Sequence, residues 1–373
     1  MEKEYEIRLY HPDDEEEIVQ LLNLSFKGWP KFDLNCSPLE HWRWKYQDNP
    51  LKMNFITVGT SQNKIIGCAH GSPLKIKIGD SVLLGDYSAD TAVHPNFRGM
   101  GVAKNMIEQS SRIRKKAGVK FFYWVTNNPR FIEIYSKIRP RFPHPLTILV
   151  RIRDVDLQLR EIPVDNPWLM KLGFHAMKLK NDVDNFLNRP RPSNREVHIT
   201  EVESFDNRIE EFWSEVSNHY QLIIDRSRRY LNWRFCDPRS GDFIIRYAED
   251  GDERVLGYNI LRVNRYLGNY PVGYIVDLLT LHDHLDVADA LVENALNYFN
   301  GQKCNLVSYL AVKNHPFESV FKRRGFIDSK ISPHVFYNPL GIDDDLKNTS
   351  LNKVYFSYGD IDSLPVSISR EHE

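Results

Sequence analysis

The chain repeats itself, and that repeat constrains the fold more than any single segment does. Trp44-Lys45-Tyr46-Gln47-Asp48-Asn49-Pro50 resembles Trp233-Arg234-Phe235-Cys236-Asp237-Pro238 with one residue deleted. A strand pattern, a polar turn and a second strand near a glycine follow each copy, at Ile65-Ile66-Gly67 and at Val255-Leu256-Gly257. Asp90 on the third strand pattern finds a counterpart in Asp277. Asn128 precedes Tyr135 by seven residues, as Asn314 precedes Phe321. Landmarks kept in one register over this length point to a tandem duplication. With 373 residues the chain is long enough for two cores. We expect one unit over residues 1–151 and a second over 195–373. Between them, 152–194 reads as a connector with a helical segment near Trp168 to Phe186 and a Pro-rich end at Arg189-Pro190-Arg191-Pro192-Ser193.

Within the first unit the hydrophobic period switches repeatedly between the strand and helix spacings. Strands are expected at Glu6 to Leu9, Asn54 to Gly59, Lys64 to Ile78 (interrupted near Pro73), Val82 to Val93, Val119 to Val125 and Leu146 to Arg151. Helices are expected from Asp13 or Asp14 to Phe26, from Leu39 to Tyr46, from Gly101 to Lys116 and from Pro129 to Ile138, with Gly118 closing the third. The order describes a mixed α/β (α+β) unit, a mixed central sheet flanked by helices.

Charge and composition narrow the function. The formal net charge is -1, which argues against the broad basic surface that nucleic-acid binding needs. Hydrophobic residues make up 42% of the chain and charged residues 27%, a globular balance. No apolar run approaches the roughly 20 residues of a membrane span, and Met1 to Glu6 lacks the pattern of a secretory leader. Cys36, Cys68, Cys236 and Cys304 stand singly, away from zinc-ligand spacing. We therefore expect free thiols, no metal and a cytoplasmic location.

The chemistry concentrates in Val93-His94-Pro95-Asn96-Phe97-Arg98-Gly99-Met100-Gly101-Val102-Ala103. A strand end runs through a glycine-containing loop into a helix. Glycines let backbone N–H groups approach a ligand, and the helix start adds unpaired donors and partial positive charge. Arg98 adds a fixed cation, and Val102-Ala103-Lys104 brings no acid to compete. Such a loop suits a pyrophosphate, although an ordinary strand-to-helix turn also uses glycine. The string VHPNFRGMGVAKNMI resembles motif A of the GNAT superfamily of N-acetyltransferases, [QR]-x-x-G-x-[GA] after a V-x-P strand end. Arg98, Gly101 and Ala103 stand at its defining places.

The resemblance implies an activity and a set of roles. An acyl group would pass from acetyl-CoA, or another acyl-CoA, directly to a primary amine of a small molecule or peptide, without a covalent enzyme intermediate. Backbone N–H groups of Arg98, Gly99, Met100, Gly101, Val102 and Ala103 would take the pyrophosphate. Pantetheine would run beside the strand ending at Val93, and the backbone at Ala92 and Val93 would hold and polarise the acyl carbonyl. Asn128 would border the thiol, and Tyr135 would protonate the departing thiolate. The chain departs from the family after that tyrosine, reading Tyr135-Ser136-Lys137-Ile138-Arg139-Pro140 without the usual glycine. For the general base, Asp90 is the first choice, near the end of the acyl-bearing strand. Asp86, His70 and a water chain are alternatives.

The second copy departs where chemistry matters. Its loop reads His282-Asp283-His284-Leu285-Asp286-Val287-Ala288-Asp289, with no arginine, no glycine and three acids that would repel a pyrophosphate, and Phe321 replaces the tyrosine. We expect this copy to keep the fold, to lack acyl-CoA binding, and to shape the acceptor cleft or stabilise the first. Trp42, Trp44 and Tyr46, like Tyr230, Trp233 and Phe235, could line an acceptor groove, but their helical spacing favours core packing. Val354 to Asp362 reads as a late strand or docking tail. Competing functions are aminoacyl or long-chain acyl transfer, which needs no intact pyrophosphate loop, and acyl-CoA binding without catalysis, which has no use for Tyr135.

Overall fold

The structure, a computed structural model, describes residues 4–31, 33–161, 172–173, 196–265, 270–338 and 349–362. The chain divides into two compact units, each assembled from separate stretches of sequence.

The first unit comprises residues up to Pro143, the short piece Asp237–Gly241 and a segment from Val335. Its elements are β1 (Glu6–Leu9), α1 (Glu15–Phe26), α2 (Pro38–Tyr46), β2 (Thr57–Ser61), β3 (Lys64–Ile78), β4 (Ser81–Val93), α3 (Val102–Lys116), β5 (Phe121–Thr126), α4 (Pro129–Ser136) and, from late in the chain, β14 (His334–Asn338). The strands lie in the order β1-β2-β3-β4-β5-β14. β3 runs unbroken through Pro73. α2 starts at a capping box. The Ser37 hydroxyl accepts from the Glu40 N–H at 3.2 Å, and the Glu40 carboxylate accepts from the Ser37 N–H at 2.8 Å. α2 contributes Trp42, fully buried, and Tyr46, 1% exposed, to a core shared with Ile18, Leu22, Ile56 and Val58. That aromatic group is core, as its spacing suggested. α3 lies against the sheet so closely that a Cβ on Gly67 would stand 2.9 Å from Met106 Cε and 3.0 Å from Val102 Cγ1. Glycine at 67 thus lets the first turn of α3 press onto β3. At the other end of α3, the Arg114 guanidinium donates through Nε to Asp86 at 2.5 Å, both side chains being buried.

The second unit contains β6 (Leu146–Ile152), α5 (Val155–Glu161), β7 (His198–Val202), α6 (Arg208–His219), β8 (Leu222–Ile224), α7 (Arg228–Leu231), β9 (Ile244–Glu249), β10 (Val255–Asn264), β11 (Val272–Thr280), α8 (Leu285–Gly301), β12 (Leu306–Val312), α9 (Pro316–Arg323) and β13 (Ile327–Asp328). Its sheet runs β13-β6-β12-β11-β10-β9-β7. The late segment bridges β8 at Val354, continues through Tyr355 and ends in a 3-10 turn at Tyr358–Asp360.

One strand assignment differs from sequence order. The strand expected to close the unit of residues 1–151 is β6, and it lies in the second sheet. It pairs antiparallel with β12 from Leu306↔Ile152 to Val312↔Leu146, and with β13. β14 stands next to β5 in the first sheet. Leu146, Ile148, Leu149 and Val150 are all buried, so β6 carries no in–out alternation by which sequence could name its sheet. The helical segment expected near Trp168 to Phe186 lies almost wholly outside the described residues, as does the Pro-rich run.

Candidate active site

The geometry of the site follows from where β4 and β5 stop pairing. They run parallel only over Gly85↔Phe121, Asp86↔Phe122 and Tyr87↔Tyr123. Beyond Tyr87 and Tyr123 the two strands part. β4 continues from Ser88 to Val93 bonded to β3 alone, and β5 continues through Trp124 to Thr126. The His94 N–H donates to the Ile66 carbonyl at 2.8 Å. Alternation then directs the Ala92 N–H toward β3 and those of Thr91 and Val93 toward the opened edge. The Val93 carbonyl on that edge accepts from Arg98 Nε at 3.2 Å, which anchors the guanidinium beside the strand end.

Beyond β4 the chain makes a 3-10 turn at Pro95–Phe97, capped by His94 Nδ1, which accepts from the Asn96 N–H at 3.2 Å. Gly99 and Gly101 then take φ values of 82° and 84°, the left-handed region that disfavours a side chain. Gly101 is the N-cap of α3 and brings no capping side chain. The first N–H of the helix ladder is that of Asn105, donating to Gly101. The N–H groups from Gly99 through Ala103 have no backbone acceptor among the described residues. This row of free donors, with an exposed Arg98 beside it and no acid in the first turn of α3, fits an anionic group. Tyr5 fixes the row from outside: its hydroxyl donates to the Met100 carbonyl at 3.1 Å and accepts from Asn105 Nδ2 at 2.8 Å. Neither Tyr5 nor Asn105 stood out in the sequence, because both act through one contact made 95 or more residues apart in the chain.

The stretch where β5 leads into α4 is aromatic. Tyr135 on α4 packs edge-on to Trp124 with ring centroids 4.9 Å apart, and lies 5.8 Å from Phe336 of β14. Burial raises its phenol above the ordinary value, against a weaker pull from Arg139. Tyr135 is therefore a proton donor throughout the neutral range. Trp124 stands where β5 leaves β4, and its indole N–H is buried with no acceptor among the described residues. Asn128 serves the fold directly: it caps α4, its Oδ1 accepting from the Arg130 N–H at 3.0 Å.

The three candidate bases are all engaged elsewhere. The Asp90 carboxylate accepts from Trp29 Nε1 at 2.9 Å, Lys45 Nζ at 2.6 Å and the Tyr46 hydroxyl at 2.6 Å. Burial alone would raise this carboxyl, but Lys45, with His70 and Tyr46, outweighs it and holds Asp90 far below the usual carboxylate range. A carboxylate that accepts from three donors, one of them a lysine, is poorly placed to act as a base. Asp86 is spent on Arg114. His70 accepts from Trp42 Nε1 at 3.1 Å through Nε2, so its Nδ1 carries the hydrogen and donates to the Asp90 carbonyl at 2.8 Å. Burial pushes its pKa down to about 4, and both ring nitrogens are occupied.

Residues 6–137 match the family described as "Acetyltransferase (GNAT) domain". They have the fold of a GNAT-like domain. Solved structures extend the likeness to most of the chain. A probable N-acyltransferase from Enterococcus faecalis V583 aligns over 90% of this chain and 73% of its own at 11% identity, TM-score 0.61. N-myristoyltransferase from Saccharomyces cerevisiae, solved with myristoyl-CoA and inhibitors, aligns over 95% and 87% at 11% identity, TM-score 0.62. A GCN5-related N-acetyltransferase from Anabaena variabilis aligns over 91% and 74% at 11% identity, TM-score 0.61. At such identities the likeness is one of fold, and the fold is two tandem GNAT-like domains, the second degenerate in its loop. A search of curated proteins returns no match.

The second GNAT-like unit shows the degenerate loop in place. α8 begins at His284 without a side-chain cap and carries Asp286 in its first turn. Asp289 is held by Arg324 Nε at 2.9 Å. The phenol position belongs to Phe321, stacked on Tyr309 with centroids 3.8 Å apart. Among the described residues no group of three or more His, Cys, Asp or Glu is placed to hold a metal, and no helix is long and apolar enough to cross a membrane.

Proposed function

We propose that the chain is an N-acyltransferase that moves an acetyl group from acetyl-CoA to a primary amine in the N-terminal GNAT domain. The observation that carries this reading is the row of free N–H groups from Gly99 to Ala103 beside Arg98, set at the end of a strand whose edge has been opened. The pyrophosphate would lie on that row. Pantetheine would lie along the opened edge of β4, hydrogen-bonding as a strand would. The Val93 N–H, and that of Thr91, would face the thioester carbonyl and stabilise the charge that grows on its oxygen as the amine attacks. Tyr135 would give its proton to the departing sulfur, whose conjugate-acid pKa near about 8.5 makes it a ready acceptor. With Asp90, Asp86 and His70 engaged, the amine would pass its proton to water. Asn128 would set the start of α4 and so the place of Tyr135, rather than touch the ligand. The second unit would hold no acyl-CoA, so calorimetry should find one site per chain.

A longer acyl chain is the second reading. The likeness to an enzyme solved with bound myristoyl-CoA favours it, as does the aromatic wall of Trp124, Tyr135 and Phe336. Thiol release from acetyl-CoA and from myristoyl-CoA, measured across a panel of amines, decides between the two. For the loop itself the test is Arg98→Glu. Acetyl-CoA at 100 times its Kd should stabilise the wild type by about 2.7 kcal/mol. That gain should vanish in the variant, and an unchanged gain would remove the loop from the site.

A further inference from the structure

A densely hydrogen-bonded polar cluster of the GNAT domain surrounds Asp90, which the mechanism above leaves without a chemical task. Asp90 has φ 46°, left-handed backbone in a residue with a side chain. Such a conformation persists where the surroundings over-determine it, and it gathers at functional sites. It coincides with a break in the β3–β4 register. Cys68 pairs with Ala92 and His70 with Ala89, so Ala69 alone opposes Asp90 and Thr91. This is a bulge of one extra residue, of the kind that bends a strand and redirects its groups.

What holds the bend comes from both ends of the residue. The carboxylate takes Trp29, Lys45 and Tyr46; the carbonyl takes His70, whose tautomer Trp42 fixes. Three of these, Trp42, Lys45 and Tyr46, belong to α2, whose start is fixed by the Ser37 capping box. The second unit supplies a comparison. Asp277, at the matching place on β11, pairs with Ile260 beside a bulge of its own at Val276 but has no positive φ, and that unit's loop carries acids in place of arginine and glycine. The bulge is thus common to both units, and what sets apart the unit with the glycine loop is the left-handed backbone of its aspartate.

We propose that Asp90 is a positioning residue: gripped by Trp29, Lys45, Tyr46 and His70, it holds the bend in β4 that aims the Thr91 and Val93 N–H groups at the thioester carbonyl. The assignment rests on the acyl-CoA reading above. It makes α2, which touches neither loop nor Tyr135 in that reading, part of the apparatus that sets the rate.

The test uses the full chain, [1-13C]acetyl-CoA as probe, and two readouts: Kd by calorimetry, and the carbonyl stretch of the bound thioester by isotope-edited infrared spectroscopy. In the wild type, binding should lower the stretch frequency. Asp90→Ala, which disfavours positive φ, should lose most of that shift and about 10²-fold in kcat, while Kd stays within about threefold because the pyrophosphate row is separate. Asp90→Asn tolerates positive φ and keeps the shape of the contacts, so it should retain most of the shift. Tyr46→Phe removes one grip only. It should give an intermediate shift and a kcat lower by several-fold, and it decides the matter if Asp90→Ala does not fold. A wild-type shift and kcat in both Asp90→Ala and Tyr46→Phe overturn the proposal, as does Asp90→Asn failing as badly as Asp90→Ala. Wild-type binding without any carbonyl shift overturns it while leaving the acyl-CoA reading intact. No acetyl-CoA binding at all overturns both.

Discussion

Gly101→Ala separates what the backbone at the loop does for stability from what it does for the ligand, because the structure supplies a matched control. Gly101 has φ 84° and Gly118, at the far end of α3, has φ 81°. A Cβ at Gly101 would lie 3.4 Å from the Tyr5 hydroxyl oxygen, an ordinary contact, and one at Gly118 would meet nothing within 4 Å. Neither substitution clashes, so each costs chiefly the left-handed strain of about 1–2 kcal/mol, less about 0.4–1 kcal/mol regained by restricting the unfolded chain. Both variants should lose stability by about 1 kcal/mol, a melting shift of about 2–4 °C. Their affinities should differ. Gly101 can escape the strain by rotating to negative φ, which turns the N–H groups of Gly101 and Val102 away from the anion. Binding must then restore the strained form, weakening acetyl-CoA by about 5- to 30-fold for about 1–2 kcal/mol. Gly118→Ala should bind as the wild type does. Differential scanning fluorimetry and calorimetry read the two quantities separately. If Gly101→Ala is destabilised yet binds with wild-type affinity, the N–H row does not hold the pyrophosphate. If Gly118→Ala binds as weakly, the loss is not specific to the loop.

Tyr135→Phe should lower kcat by about 10²-fold or more and leave Kd for acetyl-CoA nearly unchanged; a wild-type rate in a thiol-release assay would free Tyr135 of the acid role. Because burial raises the Tyr135 phenol, its removal should depress the rate across the whole neutral range rather than shift a pH optimum there. His70 makes stability fall on acidification. The unfolded chain takes its proton near pH 6.5 while the folded chain resists until about 4, so the loss begins below 6.5 and reaches about 3 kcal/mol by pH 4. His70→Gln should flatten that part of the stability–pH curve for the GNAT domain, measured by denaturant titration at several pH values; an equal slope in the variant would show that His70 is not the group responsible.

The repeat and the loop were legible because both are written in contiguous residues. Arg98, Gly101 and Ala103 at fixed spacing need no tertiary knowledge, and the duplicated landmarks fall in one register. Strand membership was not legible. β6 follows the first unit's helix in sequence but completes the second sheet, and a strand buried on both faces offers no pattern that favours one sheet over another. The engagement of Asp90 was not legible for a related reason. Its place near the end of β4 suggested a base, but Lys45 and Tyr46, which neutralise and engage it, sit 45 and 44 residues away on α2. The spacing of Trp42, Trp44 and Tyr46 on that helix read as core packing, and Lys45 between them gave no sign of its own. Tyr5 and Trp124 left no sequence signal, since Tyr5 acts through hydrogen bonds to residues far along the chain and Trp124 through a single unpaired atom.

The two aspartates show how the copies have diverged on one scaffold. In the GNAT domain, Asp90 keeps 16% of its side-chain exposure, and Thr91 beside it lies exposed on the opened edge of β4. In the second unit, Asp277 is fully buried. It accepts from Arg226 at 2.8 Å, Tyr258 at 2.8 Å, Tyr355 at 2.6 Å and Ser357 at 2.7 Å. The Tyr355 hydroxyl also meets the backbone of Leu278, the counterpart of Thr91, accepting from its N–H at 3.2 Å and lying 2.7 Å from its carbonyl oxygen. The strand edge that would carry pantetheine is thus satisfied by the chain's own late segment. A buried N–H already paired gives a ligand nothing to gain and a desolvated network to break. The loss of acyl-CoA binding that we propose for this unit would then have two independent causes: an acidic loop that repels the pyrophosphate, and a closed edge that excludes the arm attached to it. Restoring the loop alone, by placing arginine and glycine where His282 to Asp289 now stand, should leave the second unit unable to bind acetyl-CoA, and calorimetry on that variant should still find one site per chain.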